Sequence, residues 1–186
     1  MTTALIIGDV QAGIVEVLFP GGGAVLAPLV AALPEARGKG VIVIYVRAAL
    51  RADQAEVPAR NLNIVWMYDQ GDLFQESSAA TAVHPDIAPL PGEAVLVKRR
   101  GSAFAGTDLE AILRARGITE VALAGVATSG VVLHTLIEAA DRDYAVTVLR
   151  DGCADPEPDV HEFLLERVFP GRGARVLNSR DWLREL

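Results

Sequence analysis

The sequence predicts an α/β fold in which a parallel sheet of six strands lies between two layers of helices, a three-layer α/β/α domain. The first observation is that short apolar runs such as residues 41–46, VIVIYV, have the β-branched composition of central parallel strands. The second is that these runs alternate with segments whose apolar residues recur at helical spacing. Strands that alternate with helices indicate a parallel sheet joined by right-handed crossovers.

The individual elements follow from the same patterns. We predict strands at residues 4–8, 41–46, 94–98, 120–124, 145–149 and 174–177, and helices at 24–37, 108–116, 129–141 and 158–168, with a terminal turn around Trp182. Gly21, Gly22 and Gly23 are expected to form a hinge before the first long helix, and Pro34 to kink or end that helix. No regular structure is predicted for most of residues 47–90, and a connection of that length is usually functional or an oligomer contact.

Length and composition favour one domain that spans residues 1–186. Hydrophobic residues make up 51% of the chain and the mean hydropathy is +0.31, yet no apolar run approaches the roughly 18 residues of a membrane span. We therefore expect no membrane insertion, and we expect the surplus apolar surface to lie at a subunit interface.

Charge and cysteine content exclude several classes of partner. The net charge is -7 and no block of Lys and Arg gathers on a candidate helix, which gives nucleic-acid binding little electrostatic support. The first residues lack the pattern of a signal peptide, so a cytoplasmic location is expected. A single Cys can form neither an internal disulfide nor a Cys-rich zinc site.

The stretch from residue 121 to residue 135, VALAGVATSGVVLHT, has the pattern of a strand, a tight turn and a helix. Gly125 interrupts the apolar run, and Thr128 and Ser129 are good helix N-caps. In a parallel sheet such a turn lies at the carboxyl end of the strands, where substrates bind and where the helix N-terminus offers free N–H groups. Chemistry is expected at this end of the sheet.

The same stretch resembles a signature of the isochorismatase-like, or cysteine hydrolase, superfamily. Members carry Gly-Val-Ala-Thr, two further residues and then a nucleophilic Cys; Gly125 to Thr128 match the first four residues, and the Cys position falls on Val131. Members also carry an Asp at the end of the first strand and a Lys at the end of a later one, which match Asp9 in LIIGDVQ and Lys98 in VLVKRRGSAF. The matches run in order from Leu5 to about Ala154, so the resemblance covers nearly the whole domain.

The resemblance implies strand order 3-2-1-4-5-6, which would bring Asp9 close to the turn at Gly125, with Lys98 arriving from the adjoining strand end. It also implies roles for individual residues. They are Asp9 and Lys98 as the catalytic pair, Val131 as a degenerate nucleophile position, Val126, Ala127 and Thr128 as an oxyanion-binding turn built around a cis peptide, and Gln11, Arg100 and Phe104 as substrate contacts.

An aliphatic Val131 has no lone pair and no titratable proton, so amidase chemistry through a covalent Cys intermediate is not available. Cys153 could approach the site, but a free Cys is more often a small buried residue, and we expect that here. Ser129 lies two residues before the nucleophile position and points elsewhere, with helix capping as its expected task. His134 is expected to be a satisfied helix residue rather than a pocket residue.

Two mechanisms of hydrolysis stay open. The isochorismatases proper also lack the Cys and cleave a vinyl ether with the Asp as general acid, which would require a raised pKa of Asp9; Arg100 matches an Arg that contacts the substrate carboxylate there. Those enzymes usually show Gly-Val-Tyr-Ala-His followed by Gly, whereas this chain has Ala127, Ser129 and Val131, so isochorismate itself is not the expected substrate.

Two functions also stay open: noncovalent hydrolysis of a small polar metabolite, and a catalytically inactive relative that binds a small molecule or a protein partner. No Asp-x-His group of the kind that metal-binding nicotinamidases carry is recognised in the sequence, so neither a metal nor another cofactor is expected. A homodimer or a homotetramer is expected.

Overall fold

A computed structural model describes residues 2–19 and 23–186 and confirms the predicted α/β architecture. All neighbouring strands pair in parallel, in the order β3-β2-β1-β4-β5-β6. The strands are β1 (Thr3–Gly8), β2 (Ile42–Ala48), β3 (Ala94–Lys98), β4 (Glu120–Val126), β5 (Ala145–Ala154) and β6 (Arg175–Leu177). The strand order changes direction between β1 and β4, so a ligand-binding crevice is expected at their carboxyl ends.

Helices cover both faces of the sheet. They are α1 (Ala12–Leu18), α2 (Gly23–Gly38), α3 (Leu62–Asp69), α4 (Leu109–Ala115), α5 (Leu133–Asp141), α6 (Pro158–Phe163), α7 (Phe169–Gly171) and α8 (Ser179–Glu185). None of the described helices combines the length and the apolar character that a membrane crossing requires.

The core consists of two apolar clusters, one on each face of the sheet. Leu5 and Ile7 of β1 belong to the cluster beneath α1, α2, α3 and α8, whereas Ala4 and Ile6 belong to the cluster beneath α4 and α5. Successive side chains of a strand point to opposite faces, so a strand buried on both faces must be apolar throughout. This explains why β1 and β2 have continuous apolar sequences instead of alternating ones.

Helix α2 does not end at Pro34, which was one of the two outcomes that the sequence predicted for this proline. The helix contains both Pro28 and Pro34 and runs on to Gly38. Leu33 and Ala36 are buried in the core cluster on either side of Pro34, and this packing keeps the helix on the sheet beyond the missing backbone hydrogen bond. The expected hinge falls partly at Gly21 and Gly22, which lie outside the described residues, and Gly23 already begins the helix.

The connection between β2 and β3 has more regular structure than the sequence indicated. It contains α3 and three short 3₁₀ turns, at Gly71–Leu73, Ala79–Thr81 and Pro85–Ile87. Ile64 of α3 and Phe74 are buried in the core, and the Leu50 N–H donates a hydrogen bond to the Phe74 carbonyl at 2.7 Å. Some apolar residues of this segment therefore form part of the domain core, whereas others, such as Leu62, are exposed.

The strands on either side of the Gly125 turn extend further than predicted. β4 continues to Val126 and β5 to Ala154, with a register irregularity between Leu123 and Gly125. The predicted helix at 129–141 divides into a wide turn at Thr128–Val132, where Gly130 departs from helical φ and ψ, and the regular helix α5. The residues around the candidate nucleophile position therefore lie in this wide turn.

Gly125 should be among the least replaceable residues of the fold. Its φ is +145°, and a Cβ there would lie 2.2 Å from the carbonyl oxygen of Gly8. We expect Gly125→Ala to lower the free energy of unfolding by about 3 kcal/mol or more, measured by urea denaturation. Gly117→Ala is the matched control: its φ is +62° with nothing near the added Cβ, so it should cost only about 1 kcal/mol. Equal losses in the two variants would contradict the close contact.

Candidate active site

Asp9 and Lys98 form a buried ion pair at the carboxyl end of the sheet. The Lys98 Nζ lies 2.9 Å from Asp9 Oδ2, and the two residues are only 3% and 7% exposed. Asp9 follows directly after β1 with φ +57°, and its N–H donates to the Val46 carbonyl of β2. Lys98 ends β3, which adjoins β2 and not β1. Its side chain therefore reaches Asp9 across the end of β2, where small Ala48 leaves room.

The two oxygens of the Asp9 carboxylate have different surroundings. Oδ2 receives Lys98, whose Nζ also donates to the Arg100 carbonyl at 3.0 Å, while buried Oδ1 has no hydrogen-bond partner among the described residues. Burial raises the pKa of Asp9, and the positive charge of Lys98 opposes that rise. A buried acceptor without a partner is costly in a structural role, so Oδ1 is suited to a reacting group or substrate.

The turn after β4 packs directly against the start of this site. Gly125 pairs in register with Gly8, the residue before Asp9, as the resemblance predicted. The peptide bond between Val126 and Ala127 is cis. Ala127 accepts a backbone hydrogen bond from Gly130 at 3.0 Å, which closes the turn.

Thr128 and Ser129 do not cap the helix with their side chains, so this prediction was wrong. The Thr128 hydroxyl is hydrogen-bonded to His161 Nδ1 at 2.8 Å, and the Ser129 N–H donates to Asp155 Oδ2 at 2.7 Å. The partners come from the connection between β5 and α6. Because β4 and β5 remain paired up to Val126 and Ala154, this connection lies close to the turn.

Val131 is buried in the apolar cluster on the α5 side of the sheet. A Cβ on Gly8 would lie 2.7 and 2.9 Å from the two γ carbons of Val131, so these residues fit together only because Gly8 has no side chain. The cavity beside them has a volume of about 10 Å³, too small for a substrate. The equivalence of Val131 with the nucleophile of the superfamily stays a prediction.

Cys153 belongs to the same buried cluster, as expected for a structural cysteine. Its Sγ lies 3.9 Å from the Leu123 carbonyl, and burial raises the pKa of the thiol to about 12. The thiol is therefore protonated at neutral pH and is not poised to replace a nucleophile. His134 is exposed, with Nδ1 2.8 Å from the Gly130 carbonyl, and its ring packs over Gly101.

Two of the three expected substrate contacts have other tasks. Gln11 is fully buried, and its amide accepts from the Ala48 N–H at 2.6 Å and donates to the Ala48 carbonyl at 3.1 Å. Phe104 is buried against Tyr144, which precedes β5, and lies beneath the Arg142 guanidinium. These contacts give both side chains a structural task, and their expected role as substrate contacts stays a prediction.

Arg100 is partly exposed at the rim of the Asp9 and Lys98 pair. Its guanidinium donates to the carbonyls of Arg99 and Glu56, while neighbouring Arg99 binds the carboxylates of Glu56 and Glu76. The expected role of Arg100 as a substrate contact stays a prediction. Sequence reasoning missed Asp155 and His161, although Asp155 ends its strand just as Asp9 does.

Within residues 2–19 and 23–186, no group of three or more His, Cys, Asp or Glu residues is arranged to hold a metal ion. The charged groups near the candidate site instead pair with one another.

The order of the strands and the helices around them define the isochorismatase-like α/β fold. The family model described as the isochorismatase domain matches residues 3–181, and the chain belongs to the isochorismatase family. It is 30% identical over its whole length to the uncharacterized isochorismatase family protein YecD of Escherichia coli O157:H7, of which it covers 96%.

Two further relatives also match over the whole domain. The chain is 27% identical, over 99% of its own length and 96% of the relative, to a protein of Arabidopsis thaliana named a probable inactive nicotinamidase. The solved structure of an isochorismatase family protein from Burkholderia thailandensis superposes with a TM-score of 0.82, at 29% identity over 100% of this chain and 96% of that one.

The contacts of Gln11 predict a structural rather than a substrate-binding role. Gln11→Leu would leave the N–H and the carbonyl of Ala48 without partners in a buried place, so we expect a loss of about 2 kcal/mol or more in the free energy of unfolding. Urea denaturation measures it, with Gln70→Leu, an exposed glutamine, as the control that should change little. A Gln11→Leu protein of unchanged stability would contradict the structural role.

Proposed function

We propose that this member of the isochorismatase family hydrolyses a small polar metabolite at Asp9 and Lys98, without a covalent intermediate on residue 131. The observation that carries the proposal is the buried ion pair in which Asp9 Oδ1 has no partner among the described residues. A carboxylate whose pKa is raised by burial is a stronger base than an ordinary one, so Oδ1 is suited to accept a proton from water.

The proposed reaction assigns a task to each group. Asp9 Oδ1 takes a proton from a water molecule as the water oxygen bonds to the electrophilic carbon of the substrate. Lys98 holds Oδ2 and keeps the carboxylate oriented during this transfer. Backbone N–H groups of the turn formed by Val126, Ala127 and Thr128 stabilise the negative charge on the substrate oxygen. Asp9 then returns the proton to the leaving group as the bond to the carbon breaks.

The surroundings of the pair favour a small and polar substrate. Lys98 places positive charge beside Asp9, and nearby Arg100 has only backbone carbonyls as hydrogen-bond partners for its guanidinium among the described residues. Large apolar side chains exposed on the surface, such as Leu62 of α3 and Phe163 of α6, support the further proposal of a homodimer or homotetramer. No resident metal or organic cofactor takes part in the proposed mechanism.

The second candidate function is ligand binding without turnover. It is supported by the aliphatic Val131, by the near-complete burial of Asp9 and Lys98, and by the relative that is named a probable inactive nicotinamidase. A protein of this kind would retain a ligand from the cell without consuming it. The two functions thus differ in a measurable way.

The decisive experiment is a turnover screen of the wild type beside Asp9→Asn, with mass spectrometry of a metabolite pool, primary amides and vinyl ethers. We expect consumption of one compound by the wild type and a loss of at least about 100-fold in Asp9→Asn. Asp151→Asn is the matched control, because Asp151 is a carboxylate of β5 that binds Ser179 and lies outside the proposed machinery. Equal turnover by wild type and Asp9→Asn would contradict the proposal.

The pH profile of that turnover separates the two acid–base mechanisms. If Asp9 is the base, activity falls as the pH drops through its pKa, and this limb lies above the ordinary value of 3.8 because burial raises the pKa. If Asp9 is instead a protonated acid, as in vinyl ether cleavage, activity falls as the pH rises through the same pKa.

A ligand retained on the purified protein without any turnover in the screen would support the binding function.

The environment of residue 131 can be tested by restoring a thiol there. In Val131→Cys, Lys98 should lower the pKa of the new thiol and Asp9 should accept its proton, so alkylation by iodoacetamide at neutral pH should be at least about tenfold faster than that of Cys153. Buried Cys153, with a pKa of about 12, is an internal reference in the same molecule. A thiol as slow as Cys153 would show that residue 131 does not adjoin the ion pair.

A further inference from the structure

The connection between β5 and α6 reaches back to the turn that flanks Asp9. Val126 of β4 pairs in register with Ala154, and Asp155 follows immediately. Buried Asp155 accepts the Ser129 N–H through Oδ2 at 2.7 Å and the Glu157 N–H through Oδ1 at 3.2 Å. The Asp155 carboxylate therefore links the turn after β4 to the first residues of the connection between β5 and α6.

A second hydrogen bond holds Thr128, the residue of the turn that precedes Ser129. The fully buried Thr128 hydroxyl and His161 Nδ1 of α6 are 2.8 Å apart. Burial lowers the pKa of His161, although the nearby carboxylates of Glu162 and Asp155 oppose the shift, so the imidazole is neutral at physiological pH. Consecutive residues of the turn, Thr128 and Ser129, are thus each held by a different side chain.

We infer that Asp155 and His161 are positioning residues, which hold the turn of Thr128 and Ser129 against the carboxyl end of β1 and so fix the backbone groups that face the Asp9 site. The inference deepens the proposed function and rests on it for the identity of the reacting groups. Asp155 and His161 act through the turn and not on the substrate. Their loss would loosen the turn while Asp9 and Lys98 remain paired.

A hydroxyl beside an imidazole is also the arrangement of an activated nucleophile. We assign Thr128 a positioning role instead, because its hydroxyl already has a partner in His161, whereas Asp9 Oδ1 has none among the described residues. Its bond to His161 joins α6 to the turn, in the same way that Asp155 joins the start of the connection to Ser129. Both contacts therefore serve to place the backbone.

The test detects changes in the turn by the ionisation of a thiol introduced at residue 131, so it needs no known substrate. In a parent protein that carries Val131→Cys and Cys153→Ala, thiolate absorbance and iodoacetamide alkylation are followed against pH. Asp155→Ala and Asp155→Asn both remove the negative charge, but only Asn keeps an acceptor for the Ser129 N–H. We expect Asp155→Ala to have about a threefold lower thiolate fraction at neutral pH than Asp155→Asn. Equal thiolate fractions in the two variants would overturn the inference.

A second pair of variants, at Thr128, keeps the test decisive if Asp155→Ala fails to fold. Thr128→Ser retains the hydroxyl that binds His161, whereas Thr128→Val removes it at equal volume. Thr128→Ser should behave as the parent and Thr128→Val should show the lower thiolate fraction; equal thiolate fractions in these two variants would again overturn the inference.

Asp9→Asn in the same parent tests the proposed function separately. An unchanged thiol there would count against the Asp9 base and leave the comparison of the Asp155 and Thr128 pairs intact.

Discussion

The close approach of β1 and β4 at Gly8 and Gly125 is the constraint on which the rest of the site depends. The backbone of Gly125 lies so near the Gly8 carbonyl that a Cβ would not fit between them. On one side of this contact the chain continues into Asp9, and on the other into the turn that leads to α5. Two glycines without side chains thus bring an acid and a row of backbone donors to the same end of the sheet.

The ion pair of Asp9 and Lys98 is an unfavourable arrangement for stability alone. Removing both charges from water has a cost that their attraction offsets only in part, and the free Oδ1 of Asp9 adds to that cost. Among the described residues, buried Gln11 has both ends of its amide bonded to Ala48, whereas Asp9 Oδ1, Glu110 Oε2 and Arg142 Nε are the buried side-chain atoms that lack a hydrogen-bond partner. Of these three atoms, only Asp9 Oδ1 lies at the carboxyl end of the central strands, and we propose that the chain retains the ion pair for the chemistry available to that oxygen.

Much of the fold follows from periodicity, because strands buried on both faces and amphipathic helices have distinct sequence patterns. The carboxyl-terminal positions of Asp9 and Lys98 follow from the strand boundaries, and their pairing agrees with the implied strand order.

Local sequence rules failed where tertiary packing decides the outcome: α2 continues past Pro34 because Leu33 and Ala36 are anchored in the core. Gln11 and Phe104 were given a place at the site by position in a motif, and the structural contacts that they make, with Ala48 and Tyr144, join residues 37 and 40 positions apart, a separation beyond any local pattern. The bonds of Asp155 and His161 join residues 26 and 33 positions apart, which no local pattern reveals.

The fit between Gly8 and Val131 has a consequence for the mutational history of this chain. The two γ carbons of Val131 occupy the space that any side chain at position 8 would need. The two positions are therefore coupled through packing: while residue 131 is β-branched, we expect a side chain at position 8 to be costly whatever happens to activity. A larger residue at position 8 fits this packing only where residue 131 is smaller, so the stability effects of substitutions at the two positions should not be additive.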